Sequence, residues 1–229
     1  MKRLLVLLLA AAITFSLAGC NKKNEDPLTP PEESFEEDAQ EEEKEPVKEE
    51  PKEPEHDAAV ASDLEQVSAA YNGVIRAMYQ PDISKDGVSY VPSDSQFFWL
   101  SIYFTAVEAG TVTEDVIFDE KNVTYTIPAS IIQEYAAANF GSKQSLPEIP
   151  QEITYIKADG ENYVITASDI GDTHTKITKA YKNNDCSYTA FVDFSTSEDL
   201  IASYKLSFQE NTEEEALFKY QVTDAVLVK

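Results

Sequence analysis

The chain has 229 residues and a formal net charge of −24, from 42 Asp and Glu residues against 18 Lys and Arg residues. This excess of negative charge argues against nucleic acid as a partner, because nucleic-acid binding depends on Lys and Arg side chains that neutralise phosphates. It also disfavours electrostatic attachment to anionic lipid. With two cysteines and two histidines, the composition argues against a disulfide framework and against a zinc site.

The first residues have the pattern of a bacterial export signal. Lys2 and Arg3 form a short basic start, and an apolar segment follows over residues 4–15. This segment is shorter than the ~20 residues that a membrane-spanning helix needs. We therefore expect a signal peptide that is removed, not a permanent membrane anchor.

The export signal ends with Leu17, Ala18, Gly19 and Cys20. This tetrapeptide resembles the lipobox of bacterial lipoproteins at all four positions. The resemblance implies that residues 1–19 are a signal peptide, that the chain is cut between Gly19 and Cys20, and that the Cys20 sulfur carries a diacylglyceryl group. Its implied partner is membrane lipid, because two or more acyl chains hold a protein on a bilayer where one holds it only marginally. An ordinary secretory signal that is cut nearby is the alternative.

Residues 20–57 have the composition of a disordered acidic linker. Glu, Lys and Pro dominate this segment, and its large apolar residues are Leu28, Phe35 and Val47. Such a segment buries too little apolar surface to offset the entropy lost on ordering. Because prolines and like charges favour extension, we expect a tether that holds the domain away from the bilayer, as a Gram-positive-type cell surface would require. An acidic tail that binds cations or a basic partner is the alternative.

Residues 58–229 are expected to form one folded domain, since this length suffices for a single hydrophobic core. Apolar residues at helical spacing predict one helix over residues 60–78. The candidate helix caps are Asp57 alone, or a capping box of Ser62 with Glu65.

A second helix is predicted over residues 97–107, where apolar residues fall on nearly all sides and therefore indicate deep burial. Ser93 with Gln96 is the predicted capping box, and Gly110 is the predicted end. We expect Trp99 to lie in the core and not to line a pocket.

A strand and a third helix follow. Val123, Tyr125 and Ile127 alternate with threonines, as in a half-buried strand. Pro128 is the predicted start of the third helix and Gly141 its end. Strands separated by short polar loops make up the rest of the chain, which predicts an antiparallel meander. The predicted strands cover residues 153–157, 163–167, 173–181, 188–194, 201–208 and 217–228.

The order of these elements predicts an α+β fold in which N-terminal helices pack on a curved antiparallel β-sheet meander. This architecture is similar to the cystatin-like and nuclear-transport-factor-2-like folds. The resemblance implies a concave sheet face that holds a small molecule, a partner protein or occasionally a catalytic site. Fold similarity alone does not fix an activity.

Residues for catalysis or metal binding are few. His56 falls in the linker, and His174 is expected to be an exposed strand residue. Cys186 is expected to be buried in a strand, with pairing to another molecule as the alternative. Two groups of residues offer oxygens for calcium, but neither has the ligand order of an EF-hand. The first group is Asp119, Glu120 and Asn122, and the second, expected as neighbours in space, is Glu161, Asp169 and Asp172.

The sequence thus predicts a lipid-anchored protein on the extracytoplasmic face of the cell membrane, with a non-enzymatic domain that binds a small molecule or an envelope protein. No catalytic residue, cofactor or metal site is predicted. One alternative is a small cell-envelope hydrolase that uses a carboxylate pair in the concave face of the sheet, and carboxyl groups with raised pKa values in a pocket would favour it. Another is a domain that contacts an envelope protein through a sheet edge or an apolar patch.

Overall fold

The computed structural model describes residues 54–79 and 88–228. This part of the chain contains four helices and eight strands, which confirms the predicted α+β class. The helices are α1 (Ala58–Glu65), α2 (Ser68–Met78), α3 (Ser95–Ala109) and α4 (Ala129–Phe140). The strands are β1 (Ile117–Asp119), β2 (Thr124–Pro128), β3 (Ile156–Asp159), β4 (Asn162–Thr166), β5 (Thr173–Lys182), β6 (Tyr188–Thr196), β7 (Leu200–Glu210) and β8 (Tyr220–Leu227).

The strands form two antiparallel sheets. Sheet 1 has the order β1-β2-β4-β3, and sheet 2 has the order β5-β6-β7-β8. The predicted meander is therefore confined to sheet 2, because the β3–β4 hairpin pairs with β2, where Tyr125 lies opposite Ile165 and Ile127 opposite Tyr163. This pairing places Ile127 and Ile165 on one face, where both are fully buried. The similarity to cystatin-like and nuclear-transport-factor-2-like folds stays a prediction.

The helices form a layer between the two sheets. On the side of sheet 2, the ring of Tyr71 in α2 meets the ring of Phe208 edge-on, with 6.3 Å between the centroids. On the side of sheet 1, the ring of Trp99 in α3 lies 5.1 Å from the ring of Tyr163. Trp99 is fully buried and its indole N–H donates to the Pro147 carbonyl oxygen at 3.2 Å. The prediction that Trp99 belongs to the core is confirmed.

The predicted single helix over residues 60–78 is wrong, because the chain turns between α1 and α2. The N–H groups of Gln66 and Val67 donate to the carbonyls of Asp63 and Leu64, three residues back instead of four. This tighter turn changes the direction of the chain. Leu64 and Val67 are both buried, so core packing on the two sides of the turn prevails over helical continuity.

The first residues of the domain show which predicted cap is used. Asp57 caps α1, since its Oδ1 accepts the N–H groups of Ala59 and Val60. Ser62 lies inside α1, so the alternative capping box is wrong. The Asp57 N–H also donates to the Ala180 carbonyl on β5 at 2.7 Å. The folded domain therefore includes residues that the sequence had assigned to the linker.

For the later helices, the predicted C-terminal ends are confirmed and the predicted starts are wrong. Pro128 is the last residue of β2, and α4 begins at Ala129. α3 is capped by Asp94, whose Oδ1 accepts the Phe97 N–H at 2.8 Å, so the predicted box of Ser93 with Gln96 is wrong. Gly110 ends α3 and Gly141 ends α4, both with positive φ, as predicted.

The inner face of sheet 2 is apolar and buried, as the alternation in its strands predicted. Its members include Tyr188, Ala190, Val192, Phe194, Ala202, Tyr204, Leu206, Phe208, Tyr220 and Val222, whereas Phe218, predicted on the same face, is buried just before β8. Cys186 differs from its prediction, since it is exposed in the β5–β6 turn with a φ of 67°. Cys186 therefore lies in the left-handed backbone region within a turn and not in a strand, which is where its burial had been expected.

Candidate functional site

Within residues 54–79 and 88–228, the outer edge of β8 is partly open. β8 is an end strand of sheet 2, and β7 is the strand of this part of the chain that pairs with it. The first half of its outer edge is closed by Tyr90, whose hydroxyl lies 3.3 Å from the Val222 carbonyl oxygen and 2.9 Å from the Asn139 carbonyl oxygen. Beyond this point, residues 224–227 form one side of a slot with a volume of about 510 Å³. We call this cavity the β8 slot.

The second side of the β8 slot is formed by residues 88–90. This segment is fixed to the end of α2, because the Val88 N–H donates to the Met78 carbonyl oxygen at 2.8 Å. Met78 also lines the slot. One side of the slot is therefore a sheet edge, and the opposite side is backbone that a helix holds in place.

The backbone of β8 presents polar groups to the slot. The Val228 N–H donates to the Ser203 carbonyl oxygen of β7 at 2.8 Å. In an antiparallel ladder, adjacent residues direct their backbone N–H and C=O groups to opposite edges. The backbone groups of Leu227 and Ala225 therefore point away from β7, and both residues line the slot. This edge can accept hydrogen bonds from another extended segment and donate hydrogen bonds to it.

The side chains at the open edge are mostly apolar. Val226, Leu227 and Val228 are 48%, 41% and 49% exposed. Natural edge strands are usually protected by charged residues, by proline or by a covering segment. Here Asp224 is the charged side chain of the open half, and four consecutive apolar residues follow it, from Ala225 to Val228. Exposed apolar residues that continue a strand edge are typical of an interaction site.

A second cavity, of about 270 Å³, lies on the other side of the same segment. Val88 and Ser89 line both cavities. The second cavity is bounded by Ala77 at the end of α2 and by Phe97 and Leu100 at the start of α3. It offers apolar surface next to the β8 slot.

The charged side chains that the structure describes in the linings of the two cavities are Asp94 and Asp224. Asp94 is already engaged as the cap of α3. Burial raises the pKa of the Tyr90 hydroxyl, and the nearby Asp224 carboxylate raises it further. Tyr90 therefore stays a neutral hydrogen-bond donor to the β8 edge at physiological pH.

Two carboxylates relevant to the hydrolase alternative lie elsewhere, around α2. The Tyr71 hydroxyl donates to Glu65 Oε2 at 2.8 Å, and the Asn72 side-chain amide donates to Glu108 Oε1 at 2.9 Å. Thr175 of β5 donates its hydroxyl to Asn72 Oδ1. Burial raises the pKa of Tyr71, and Glu65 adds to the effect. Because each carboxylate accepts a bond from a buried neutral group, this network ties α1, α3 and β5 to α2.

Arg76, the one arginine among the described residues, also has a structural role. It is 6% exposed, and its guanidinium donates to the Ile170 carbonyl at 3.0 Å and to the Thr173 carbonyl at 2.7 Å. The guanidinium carbon lies 5.7 Å from the centre of the Phe194 ring. Arg76 thus fixes the loop before β5 to α2.

The first candidate calcium group, Asp119 with Glu120 and Asn122, lies at the β1–β2 turn and helps to stabilise it. Asp119 accepts the backbone N–H groups of Lys121 and Asn122 and the side-chain amide of Asn122. These bonds hold the pKa of Asp119 below its usual value. Glu120 is exposed in the same turn.

In the second candidate group, Asp169 accepts the Gly171 N–H, and Asp172 accepts a hydrogen bond from the hydroxyl of Ser197. Glu161 is exposed in the β3–β4 hairpin. Across residues 54–79 and 88–228, no three His, Cys, Asp or Glu side chains are grouped so that they could hold a metal ion.

The two histidines differ in surroundings. His174 is exposed on β5, which confirms its prediction. His56 lies against the same strand, since its Nδ1 accepts the Ala180 N–H at 3.1 Å. His56 is thus part of the junction between linker and domain.

The lipobox lies outside the described residues, so cleavage after Gly19 and lipidation of Cys20 stay predictions. Among the helices that the structure describes, none combines the length and the apolar character needed to cross a membrane.

The residues of the β8 slot were missed by sequence reasoning. Val226, Leu227 and Val228 were assigned to a strand, but whether this edge is open depends on residues 88–90, more than a hundred positions earlier. The run of four apolar residues from Ala225 to Val228, which breaks the alternation of a half-buried strand, was the available indication. No protein-family model, curated protein or solved structure matches the chain.

Proposed function

We propose that the chain is a lipid-anchored protein of the extracytoplasmic face of the cell membrane, and that its domain binds an extended segment of another envelope protein along β8. The role is non-enzymatic. The observation that supports the binding role is the outward orientation of the Ala225 and Leu227 backbone in the β8 slot. The lipobox at Cys20 supports the anchoring role.

Binding proceeds by strand addition. The open edge spans four residues, Asp224 to Leu227, or about 13 Å of extended chain. A segment in this slot forms main-chain hydrogen bonds with β8, and its alternate side chains contact the walls. The exposed side chains of Val226 and Leu227 lose contact with water on binding, which contributes roughly 25 cal/mol for each Å² of apolar surface buried.

A peptide suits this slot better than a small molecule does. The polar groups of the slot include backbone groups repeated at every second residue of β8, a spacing that an extended peptide matches along its whole length. Small-molecule sites are usually enclosed and place a few polar side chains around one ligand. The β8 slot instead follows a strand edge.

The linker enters the domain on the far side of sheet 2. Asp57 bonds to Ala180 on β5, and β5 and β8 are the two end strands of this sheet. The point of attachment is therefore separated from the slot by the width of the sheet. An acidic linker over residues 20–57 would hold the domain away from the bilayer while β8 faces other envelope proteins.

Anchoring is tested by metabolic labelling with an alkyne-bearing fatty acid in a bacterial host that processes lipoproteins. The full chain is expected to take up label and to sediment with membranes, whereas Cys20→Ser loses the label and enters the medium. Cys186→Ser is the matched control, since this exposed thiol of the β5–β6 turn is expected to leave labelling unchanged. Equal labelling of the Cys20→Ser protein would contradict lipidation at this residue.

Strand addition is tested with a fluorescent peptide in which valine and threonine alternate over four residues between flexible Gly-Ser ends. Leu227→Pro removes an N–H that points into the slot and leaves the bonds to β7, a substitution that edge strands tolerate. Leu227→Ala keeps the N–H and is the matched control. We expect the proline variant to lose binding and the alanine variant to retain part of it. If a folded Leu227→Pro protein binds the peptide as the unsubstituted protein does, strand addition is excluded.

A further inference from the structure

We infer that the segment bound beside β8 is basic, with a Lys or Arg side chain opposite Asp224 and apolar side chains opposite Ala225 and Leu227. This inference rests on the proposed function, because it specifies the chemistry of the segment that the β8 slot binds. It follows from the pairing of β8 with β7 and from the charge of the chain.

The pairing of β8 defines the two faces of its open half. Ala225 lies opposite Leu206, which is fully buried, so Ala225 and Leu227 belong to the inner face of sheet 2. Asp224 lies opposite Ser207, so Asp224 and Val226 belong to the outer face. Residues directly opposite one another in an antiparallel pair place their side chains on the same face. A segment added to β8 therefore repeats this alternation.

The inner-face positions of the added segment are apolar. They meet the part of the slot that contains Met78, which is 2% exposed, together with Val88 and Ala225. A charged side chain placed there would lose water without gaining a partner, which is costly. Side chains of valine or isoleucine fill such a position and also favour extended backbone.

The outer-face position opposite Asp224 is cationic. The Asp224 side chain is exposed, and opposite charges directly across an antiparallel pair attract while like charges repel. The next charged side chain in register on this face is Lys205, which pairs with Val226 and is separated from the slot by β8 itself. The local preference of the slot is therefore set by Asp224.

The charge of the whole chain favours the same partner. A net charge of −24 attracts a basic segment over a distance and accelerates its association at low salt. A second copy of this chain is disfavoured for the same reason, because two such molecules repel one another. The added segment is therefore expected to have apolar residues opposite Leu227 and Ala225 and a basic residue opposite Asp224. The residue opposite Val226 can be of any type.

The test compares two fluorescent peptides that differ at one position. Both carry valine opposite Leu227 and Ala225, and one has lysine and the other glutamate opposite Asp224. We expect the full chain to bind the lysine peptide about five- to tenfold more tightly, a preference that Asp224→Lys reverses and that high salt weakens. Glu161→Lys is the matched control, because it makes the same change in net charge on sheet 1 and leaves the preference intact.

The outcomes separate this inference from the proposed function. If the two peptides bind equally well and Leu227→Pro abolishes binding, the inference that the segment is basic is wrong, while the proposal of strand addition is retained. Absence of binding to either peptide would overturn both, because the two peptides share the backbone that β8 is proposed to pair with. Dimerisation of the full chain in sedimentation, abolished by Leu227→Pro, would assign the edge to a second copy and also overturn the inference.

Discussion

Gly73 sets the distance between α2 and α3. A Cβ atom at this position would lie 2.1 Å from Thr105 Oγ1 and 2.7 Å from the Ser101 carbonyl oxygen. Both distances are shorter than real Cβ contacts, so any side chain at residue 73 forces the helices apart. The layer of helices between the two sheets depends on this close approach.

Gly73→Ala is expected to lower the free energy of unfolding. Overpacking costs roughly 1–3 kcal/mol, which outweighs the ~1 kcal/mol that alanine gains over glycine in a helix. Because the Cβ contact of 2.1 Å favours the upper end of that range, chemical denaturation of the variant should show a net loss of up to about 2 kcal/mol. A double-mutant cycle with Thr105→Ala supplies the control, because the substitution at residue 73 should cost less when Oγ1 is gone. A stable Gly73→Ala protein would show that the helices do not approach this closely.

Single residues differed in how well the sequence predicted them. Trp99 and the alternating apolar residues of sheet 2 were predicted to be buried, because large apolar side chains have few other stable positions. The exposure of Cys186 was not predicted, since this residue lies in a turn whose conformation cannot be inferred from composition. Asp57 and Asp94 took the capping roles for a similar reason, because several neighbouring residues were chemically able to cap and only the chain direction decides among them.

At the scale of elements, a substitution at the start of α1 tests directly which residue caps this helix. Asp57→Ala removes the oxygen that accepts the N–H groups of Ala59 and Val60. We expect it to lower the free energy of unfolding by about 1 kcal/mol, as loss of an N-cap usually does. Ser62→Ala is the matched control and should change stability by less than about 0.5 kcal/mol, because Ser62 lies inside α1. If thermal or chemical denaturation shows a larger loss of stability for Ser62→Ala than for Asp57→Ala, the capping box of Ser62 with Glu65 would be supported instead.

The existence of most elements was predicted from periodicity, but their grouping was not. The three helical segments and the strands of sheet 2 appear near their predicted positions. The turn at Gln66 and Val67 was missed because apolar residues keep helical spacing through it. The division into two sheets was missed because β4 pairs with β2, which α4 separates from it in sequence, and carries its hairpin partner β3 into the same sheet. Strand pairing across a helix depends on tertiary packing, which local patterns do not encode.

At the scale of the whole molecule, the proposed site is built from two distant segments. Residues 88–90 and 224–227 meet only because the chain returns to the end of α2 and β8 ends the sheet beside it. Neither segment carries a motif, so composition predicted a binding module without locating the surface. The open edge became visible only when the two segments were placed side by side.

The proposed function combines the charge of the chain with the proposed membrane anchor. The chain is strongly acidic, and its domain is proposed to stand away from the membrane on a linker over residues 20–57. The linker joins the domain at Asp57, beside β5, at the edge of sheet 2 opposite β8. Under the proposed function, this arrangement would let the open edge meet basic segments of other envelope proteins while the proposed acyl chains keep the molecule at the membrane.

Amide hydrogen exchange measured residue by residue in the full chain, with and without the lysine peptide at saturation, tests the binding claim most directly. The N–H groups of Ala225 and Leu227 point into the slot, so their exchange should slow by at least about tenfold when a strand is added. The Val228 N–H already donates to the Ser203 carbonyl, so it serves as an internal control that changes little. Unchanged exchange at Ala225 and Leu227 under saturating peptide would contradict the account.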